Sequence, residues 1–112
     1  MKEIKAYIRC DRALKALDAL YEAGMKHATL THVLAVGGEA EGDQAEMNIE
    51  FGCQVNRMVK LEVICLDKDE LKTVELIRKA ACTLQAGDGI ITVTNVNRIV
   101  KVRTAAVSID AL

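Results

Sequence analysis

A repeated switch between two hydrophobic periods decides most of what this chain can fold into. Ile4, Ala6, Ile8 and Cys10 alternate with Lys5, Tyr7 and Arg9, the period of a half-buried strand. At Asp11 the period changes. Leu14, Leu17, Leu20 and Tyr21 fall on one helical stripe, with Asp11 placed as N-cap and Gly24 as C-cap. Residues 28–36 return to a strand pattern, with Leu30, Leu34 and Val36 on one face and Thr29, Thr31 and Val33 on the other. Val59, Leu61, Val63 and Cys65 alternate with Met58, Lys60 and Glu62 as a third strand. Leu71, Val74, Ile77 and Ala81 mark the buried stripe of a second helix, whose run ends near Leu84. A fourth strand over Ile90–Val93 and a short fifth over Ile99–Arg103 complete the pattern. The order predicts an α+β, ferredoxin-like βαββαβ sandwich: an antiparallel sheet with both helices on one face and a long loop between strands two and three. An apolar sheet face opposite the helices is expected to need covering by other copies of the chain.

With 112 residues, the chain is expected to form a single domain spanning 1–112. Fifteen Lys and Arg against 16 Asp and Glu leave a formal net charge of -1, so no global field draws it to nucleic acid or to an anionic membrane. Aromatic residues make up 3%, too few for strands that stack bases. No apolar run approaches the roughly 18 residues of a membrane span, and a cytoplasmic location is expected. Cys10, Cys53, Cys65 and Cys82 are widely spaced and read as buried small hydrophobes. His27 and His32 have no acid or cysteine at ligand spacing and read as structural; no metal site is expected. Nothing pairs a nucleophile with a base, so neither an enzyme nor a catalytic cofactor is expected.

Between Gly37 and Asn56 the regular pattern fails, leaving a long loop of about 37–56. Loops of this size in compact domains are functional or unstructured. Glu39, Glu41, Asp43, Glu46 and Glu50 occur with no Lys or Arg before Arg57, an acidic arm on a nearly neutral protein.

The stretch Thr83-Leu84-Gln85-Ala86-Gly87-Asp88-Gly89-Ile90 reads as a phosphate cradle. Its glycines permit positive φ and close approach to the backbone, and such a turn can aim successive N–H groups at one anion. Lys101 and Arg103, alternating with Val100 and Val102, would stand on one face of an extended strand and supply charge. By itself Gly-Asp-Gly between a helix and a strand is more often only a turn.

Taken with Met1 to Arg9, the Gly24 turn, Thr29-Leu30-Thr31-His32-Val33, Lys60-Leu61-Glu62-Val63-Ile64, and Arg103-Thr104, this stretch resembles the PII signal-transduction proteins over essentially the whole chain. The resemblance implies a homotrimer that binds ATP or ADP in clefts between subunits and regulates a target through the long loop. That target is implied to be a membrane transporter or a metabolic enzyme, with the membrane engaged only indirectly. By the same resemblance, Gly37, Gly38 and the Gly87-Asp88-Gly89-Ile90 turn line the phosphate and ribose side from one subunit, and Ile64 flanks the adenine. Thr29, Lys101 and Arg103 come from the neighbour. Glu39, Glu41, Asp43, Glu46, Glu50 and Phe51 belong to the partner-binding loop.

The chain departs from the family pattern at telling positions. Phe51 stands where the family presents the tyrosine that is uridylylated, and a phenyl ring has no hydroxyl to modify. Gly38 and Ile90 replace basic phosphate contacts, Glu39 replaces a glutamine that helps hold magnesium and 2-oxoglutarate, and Met58 replaces a lysine that pairs with 2-oxoglutarate. Each exchange removes a donor or cation worth about 1.5–3 kcal/mol from an anion site. The resemblance therefore implies a protein without uridylylation or 2-oxoglutarate sensing, with ADP or AMP favoured over magnesium-ATP. The alternative is a trimer that has lost nucleotide and senses bicarbonate, a metal or redox state, or serves as an interaction module. Its metal form would draw on the acidic loop and Cys53.

Overall fold

The computed structural model describes residues 1–36 and 45–112. Its elements are β1 (Lys2–Arg9), α1 (Ala13–Glu22), β2 (Thr29–Ala35), β3 (Glu46–Asn48), β4 (Cys53–Cys65), α2 (Glu70–Ala81) and β5 (Gly89–Asn95), with short 3-10 turns at Cys10–Arg12, Asp67–Asp69 and Ser108–Ala111. The sheet runs in the order β2-β4-β1-β5, and β3 pairs with β4 off that path. All pairings are antiparallel. This is the ferredoxin-like α+β arrangement expected of the alternating periods.

Register explains the core. Ile4, Ala6 and Ile8 lie opposite Val63, Leu61 and Val59 on β4, so the apolar alternation of one strand meets that of the next. Both helices cover this face. Ala16 and Leu20 of α1, and Ile77 and Ala81 of α2, pack with Ile4, Ala6, Ile8, Leu61, Val63 and Cys65 into one cluster. Gly24 takes φ +89° just past α1, where its N–H reaches the Tyr21 carbonyl at 2.9 Å and the Met25 N–H reaches that of Leu20 at 3.0 Å. That double bond closes the helix in a left-handed cap.

Leu17, Leu20, Val74, Ile77 and Ala81 of the expected stripes face the core, but each helix departs from its stripe in part. Leu14 and Tyr21 are 70% and 64% exposed, and Ala13 and Ala16 are buried beside Leu20. Small alanines let α1 approach the sheet closely. Asp11 sits in the preceding 3-10 turn, and Arg12, with no side-chain cap bond, precedes the helix. In α2 Leu71 is 80% exposed and Thr73 fully buried. Thr73, Ile77 and Ala81 form a spacing-four ridge, and the Thr73 hydroxyl donates to the Asp69 carbonyl at 2.7 Å. A hydroxyl satisfied within its own helix can occupy a core position at little cost.

Three further expectations are corrected. The fifth strand over Ile99–Arg103 is absent; only a bridge between Val100 and Val107 forms, around a turn in which the Ala105 N–H donates to the Lys101 carbonyl at 2.8 Å. The loop ends earlier than Asn56, because β3 and the start of β4 form a hairpin with Glu46 opposite Val55 and Asn48 opposite Cys53. The sheet face away from the helices is charged at one end rather than apolar throughout: Lys5 pairs with Glu3 at 3.4 Å and Lys60 with Glu62 at 3.1 Å. The odd-numbered positions of β1 carry Glu, Lys and Tyr, which the period of two sends to that face. Of the cysteines, Cys65 alone is buried; Cys10 is exposed, and Cys53 and Cys82 are half-buried.

Candidate functional site

The glycine turn is built around Asp88. Its carboxylate accepts the Thr83 backbone N–H at 2.7 Å and the Thr83 hydroxyl, and pairs with Arg9 Nε at 3.0 Å. Arg9 also donates from its guanidinium to the Ala86 carbonyl at 2.7 Å. Burial pushes the Asp88 pKa up, but the two Thr83 donors and the Arg9 charge outweigh it and hold the group at about 2. The oxygens of Asp88 thus shape the loop from within. Gly87 and Gly89 adopt φ of +91° and +109°, and Leu84 takes φ +65° with its side chain 94% exposed. Ile90, the next residue, is 54% exposed at the mouth of the turn.

A second feature lies at the other end of the sheet. Thr29 from the start of β2, Ile64 from the end of β4, and Lys101 line one cleft of about 600 Å³ with Glu3, His27 and Glu62. The pairing of Thr29 with Glu62, and of Glu3 with Ile64, puts these side chains side by side. Glu62 is held by Lys60, whose own pKa rises through that hydrogen bond and charge. The cleft therefore offers a hydroxyl, an apolar wall, carboxylates and a cation, a set that can clasp a heterocycle and its sugar.

The cleft and the turn are far apart within one chain. Glu3 lines the cleft, while Gly89 pairs with Ile8. Five residues of strand separate them, about 17 Å. Arg103 is exposed in the turn after Lys101 and does not line the cleft. Glu46 belongs to β3 and pairs with Arg57 at 2.7 Å, and Glu50 and Phe51 form the hairpin turn, where the Phe51 N–H donates to the Asn48 side chain at 2.9 Å. Gly37, Gly38, Glu39, Glu41 and Asp43 lie outside the described residues.

Sequence reasoning missed Arg9, Glu62 and His27. Arg9 sits at an odd position of β1 and reads as a solvent-facing cation, yet it is 5% exposed. Its only available signal was an unpaired acid, Asp88, between two glycines far along the chain. His27, read as structural, is exposed and lines the cleft. Among the described residues, no three His, Cys, Asp or Glu side chains converge as metal ligands. No described helix is long and apolar enough to cross a membrane.

Sheet order, helix placement and a glycine turn held by an internal acid define a ferredoxin-like α+β domain. The family model for nitrogen regulatory protein P-II matches residues 1–106. The chain is 33% identical over all of its 112 residues, and all of the relative's, to the nitrogen regulatory protein P-II of Mesorhizobium japonicum, and 31% identical over the same full span to that of Rhizobium meliloti. It is 32% identical to nitrogen regulatory protein P-II 2 of Methanothermobacter thermautotrophicus, over 93% of this chain and 90% of the relative. The chain belongs to the nitrogen regulatory protein P-II family. It is accordingly a regulatory signalling protein and not an enzyme.

Proposed function

We propose that the chain forms a homotrimer, binds an adenine nucleotide where the cleft of one protomer meets the glycine turn of the next, and reports occupancy to a target through the segment between β2 and β4. The carrying observation is the separation of two complementary half-sites. Thr29, Ile64 and Lys101 stand at one end of β1 and the Gly87–Ile90 turn about 17 Å away at the other. Copies arranged head to tail around a threefold axis would join them, since a heterologous contact that closes makes a ring. Arg103, exposed beside Lys101, would add its charge from the same protomer as the cleft.

The cation at the turn, Arg9, is engaged by Asp88 and the Ala86 carbonyl, and Ile90 and the buried Met58 occupy the flanking positions. Short phosphate chains suit such a site better than magnesium-ATP. The target, a transporter or metabolic enzyme, would be one that accepts an acidic loop carrying Phe51, without uridylylation. Isothermal titration with ATP, ADP and AMP, with and without magnesium, tests the reading. ADP or AMP is expected to bind in the micromolar range, and Arg103→Ala or Lys101→Ala to weaken binding by about tenfold to a hundredfold, the loss of one charged hydrogen bond. Absence of binding by all three nucleotides would overturn it and favour the trimer without nucleotide.

A further inference from the structure

The first turn of α2, the end of β4 and the cap of α1 meet around one buried hydroxyl, that of Thr73. Its Oγ1 lies 3.4 Å from the Met25 thioether sulfur and is hydrogen-bonded to the Cys65 thiol, so two sulfurs from distant parts of the chain touch a common oxygen. The shorter contact, 2.7 Å to the Asp69 carbonyl, claims the single proton of the hydroxyl. The Met25 sulfur is left with only a weak contact. The left-handed cap at Gly24 turns the chain so that Met25 packs against the core cluster to which Cys65 belongs. Both residues line a cavity of about 370 Å³ with Gly24, His27, Leu66 and Asp69. Gly24 and His27 are exposed, so the cavity opens to solvent. It adjoins the cleft of Thr29 and Lys101 through Lys26, His27, Val63, Ile64 and Leu112, but neither sulfur lines that cleft. Cys65 is on the helix face of the sheet, and Ile64, one residue earlier, is on the other.

We propose that Met25 and Cys65 form a binding site for a soft monovalent cation, Cu(I) or Ag(I). Thioether and thiolate sulfurs select such ions over hard cations. Zinc takes four ligands, and among the described residues no three His, Cys, Asp or Glu side chains converge; a monovalent d10 ion is satisfied by two sulfurs. Two metal–sulfur bonds of about 2.3 Å place the sulfurs at most about 4.6 Å apart, within the span open to atoms that touch one oxygen. Binding is an exchange without electron transfer. The Cys65 S–H bond breaks, a sulfur–metal bond forms in its place, the thioether adds a lone pair, and one proton leaves to solvent. Thiolate and cation then cancel, which suits a cysteine that is 4% exposed, whereas a divalent ion would leave a buried net charge. The site uses neither the glycine turn nor Lys101, so its occupancy needs no nucleotide.

The test uses the full chain carrying Cys10→Ser, Cys53→Ser and Cys82→Ser, which leaves Cys65 as the sole thiol, with carbon-13 methyl-labelled methionines at 1, 25, 47 and 58. Silver nitrate and, anaerobically, Cu(I) are titrated in without nucleotide. The Met25 methyl signal is expected to shift and saturate at one ion per chain, with release of one proton, while the other three signals stay in place. Zinc is expected to move none of them. Competition with bicinchoninate for Cu(I) gives the affinities. Cys65→Ala is expected to weaken binding about a hundredfold, and Met25→Leu, which keeps the side-chain volume, about tenfold. An unchanged Met58 methyl signal checks the folding of each variant, and Cys65→Ser stands in if Cys65→Ala moves it. A Met25 signal that ignores one equivalent of silver, a shift that survives loss of the Cys65 thiol, or an equal response to zinc would overturn the proposal. So would silver bound by the parent and not by the sole-thiol chain, which would assign it to the other cysteines.

Discussion

Gly89→Ala is expected to cost more than about 4 kcal/mol and to leave the chain largely unfolded under conditions where the parent is stable. A Cβ at this position would lie 1.7 Å from the carbonyl oxygen of Tyr7 and 2.8 Å from its carbonyl carbon. Both are backbone atoms of a central strand, so no rotamer change relieves the clash. The φ of +109° adds strain for any residue with a side chain. Relief requires β5 to leave β1 at the pair formed by Ile8 and Gly89, where the register of the whole strand begins. Gly24→Ala is the control. It has a similar φ of +89° but nothing within 4 Å, so it is expected to cost about 1 kcal/mol, the left-handed penalty alone. Urea unfolding of the two variants separates steric exclusion from conformational preference.

Arg9→Met is expected to destabilise the fold by roughly 2–4 kcal/mol, because it leaves the Asp88 carboxylate without its cation and the Ala86 carbonyl without its donor. The lower part of that range reflects the exposure of Asp88, whose side chain is 22% accessible against 6% for Arg9. The pH dependence follows from the direction of the shift. Asp88 titrates at about 2 in the folded chain against 3.8 for an unperturbed group. Its contribution is therefore fully present above pH 3.8 and is lost as pH falls through 2, amounting to about 2 kcal/mol before screening. Acid titration of stability for the parent and for Asp88→Asn should show this step in the first and not in the second. Arg9→Met should shrink it without abolishing it, since the Thr83 donors remain.

The alternating strands were plain in the sequence because their period of two is enforced on one face by the core and on the other by charge. Ile4, Ala6 and Ile8 against Lys5 and Tyr7 leave only one register. The helix phases were less legible. Leu14 and Leu71 are large and apolar, yet the buried ridges run through Ala16 and Thr73, where packing distance and a back-bonded hydroxyl outweigh hydropathy. Lys101 and Arg103 alternate with valines as a strand would, but residues 102–104 form a turn, closed by the Ala105 N–H on the Lys101 carbonyl, with Ala105 at φ +59°. Nothing local announces that reversal. For the candidate site, the glycine turn and the grouping of Thr29, Ile64 and Lys101 draw on residues that the resemblance singled out. The carboxylates of Glu3 and Glu62 and the Arg9 to Asp88 pair arise only from register, which joins positions more than fifty residues apart.

The proposed nucleotide site is shared between copies, with the cleft from one chain and the glycine turn from another. Mixed oligomers test this most directly. Lys101→Ala impairs the cleft, and Ile90→Glu places a carboxylate at the mouth of the turn, where residue 90 is half-exposed and the substitution leaves the core intact. ADP binding is measured for each variant alone and after the two are unfolded and refolded together in equal amounts. Each variant alone is expected to bind weakly, and the mixture to recover about a quarter of the parent's sites, the share at which an intact cleft meets an intact turn by chance. A mixture with no more high-affinity sites than its parts would place both halves in one chain and contradict the shared site.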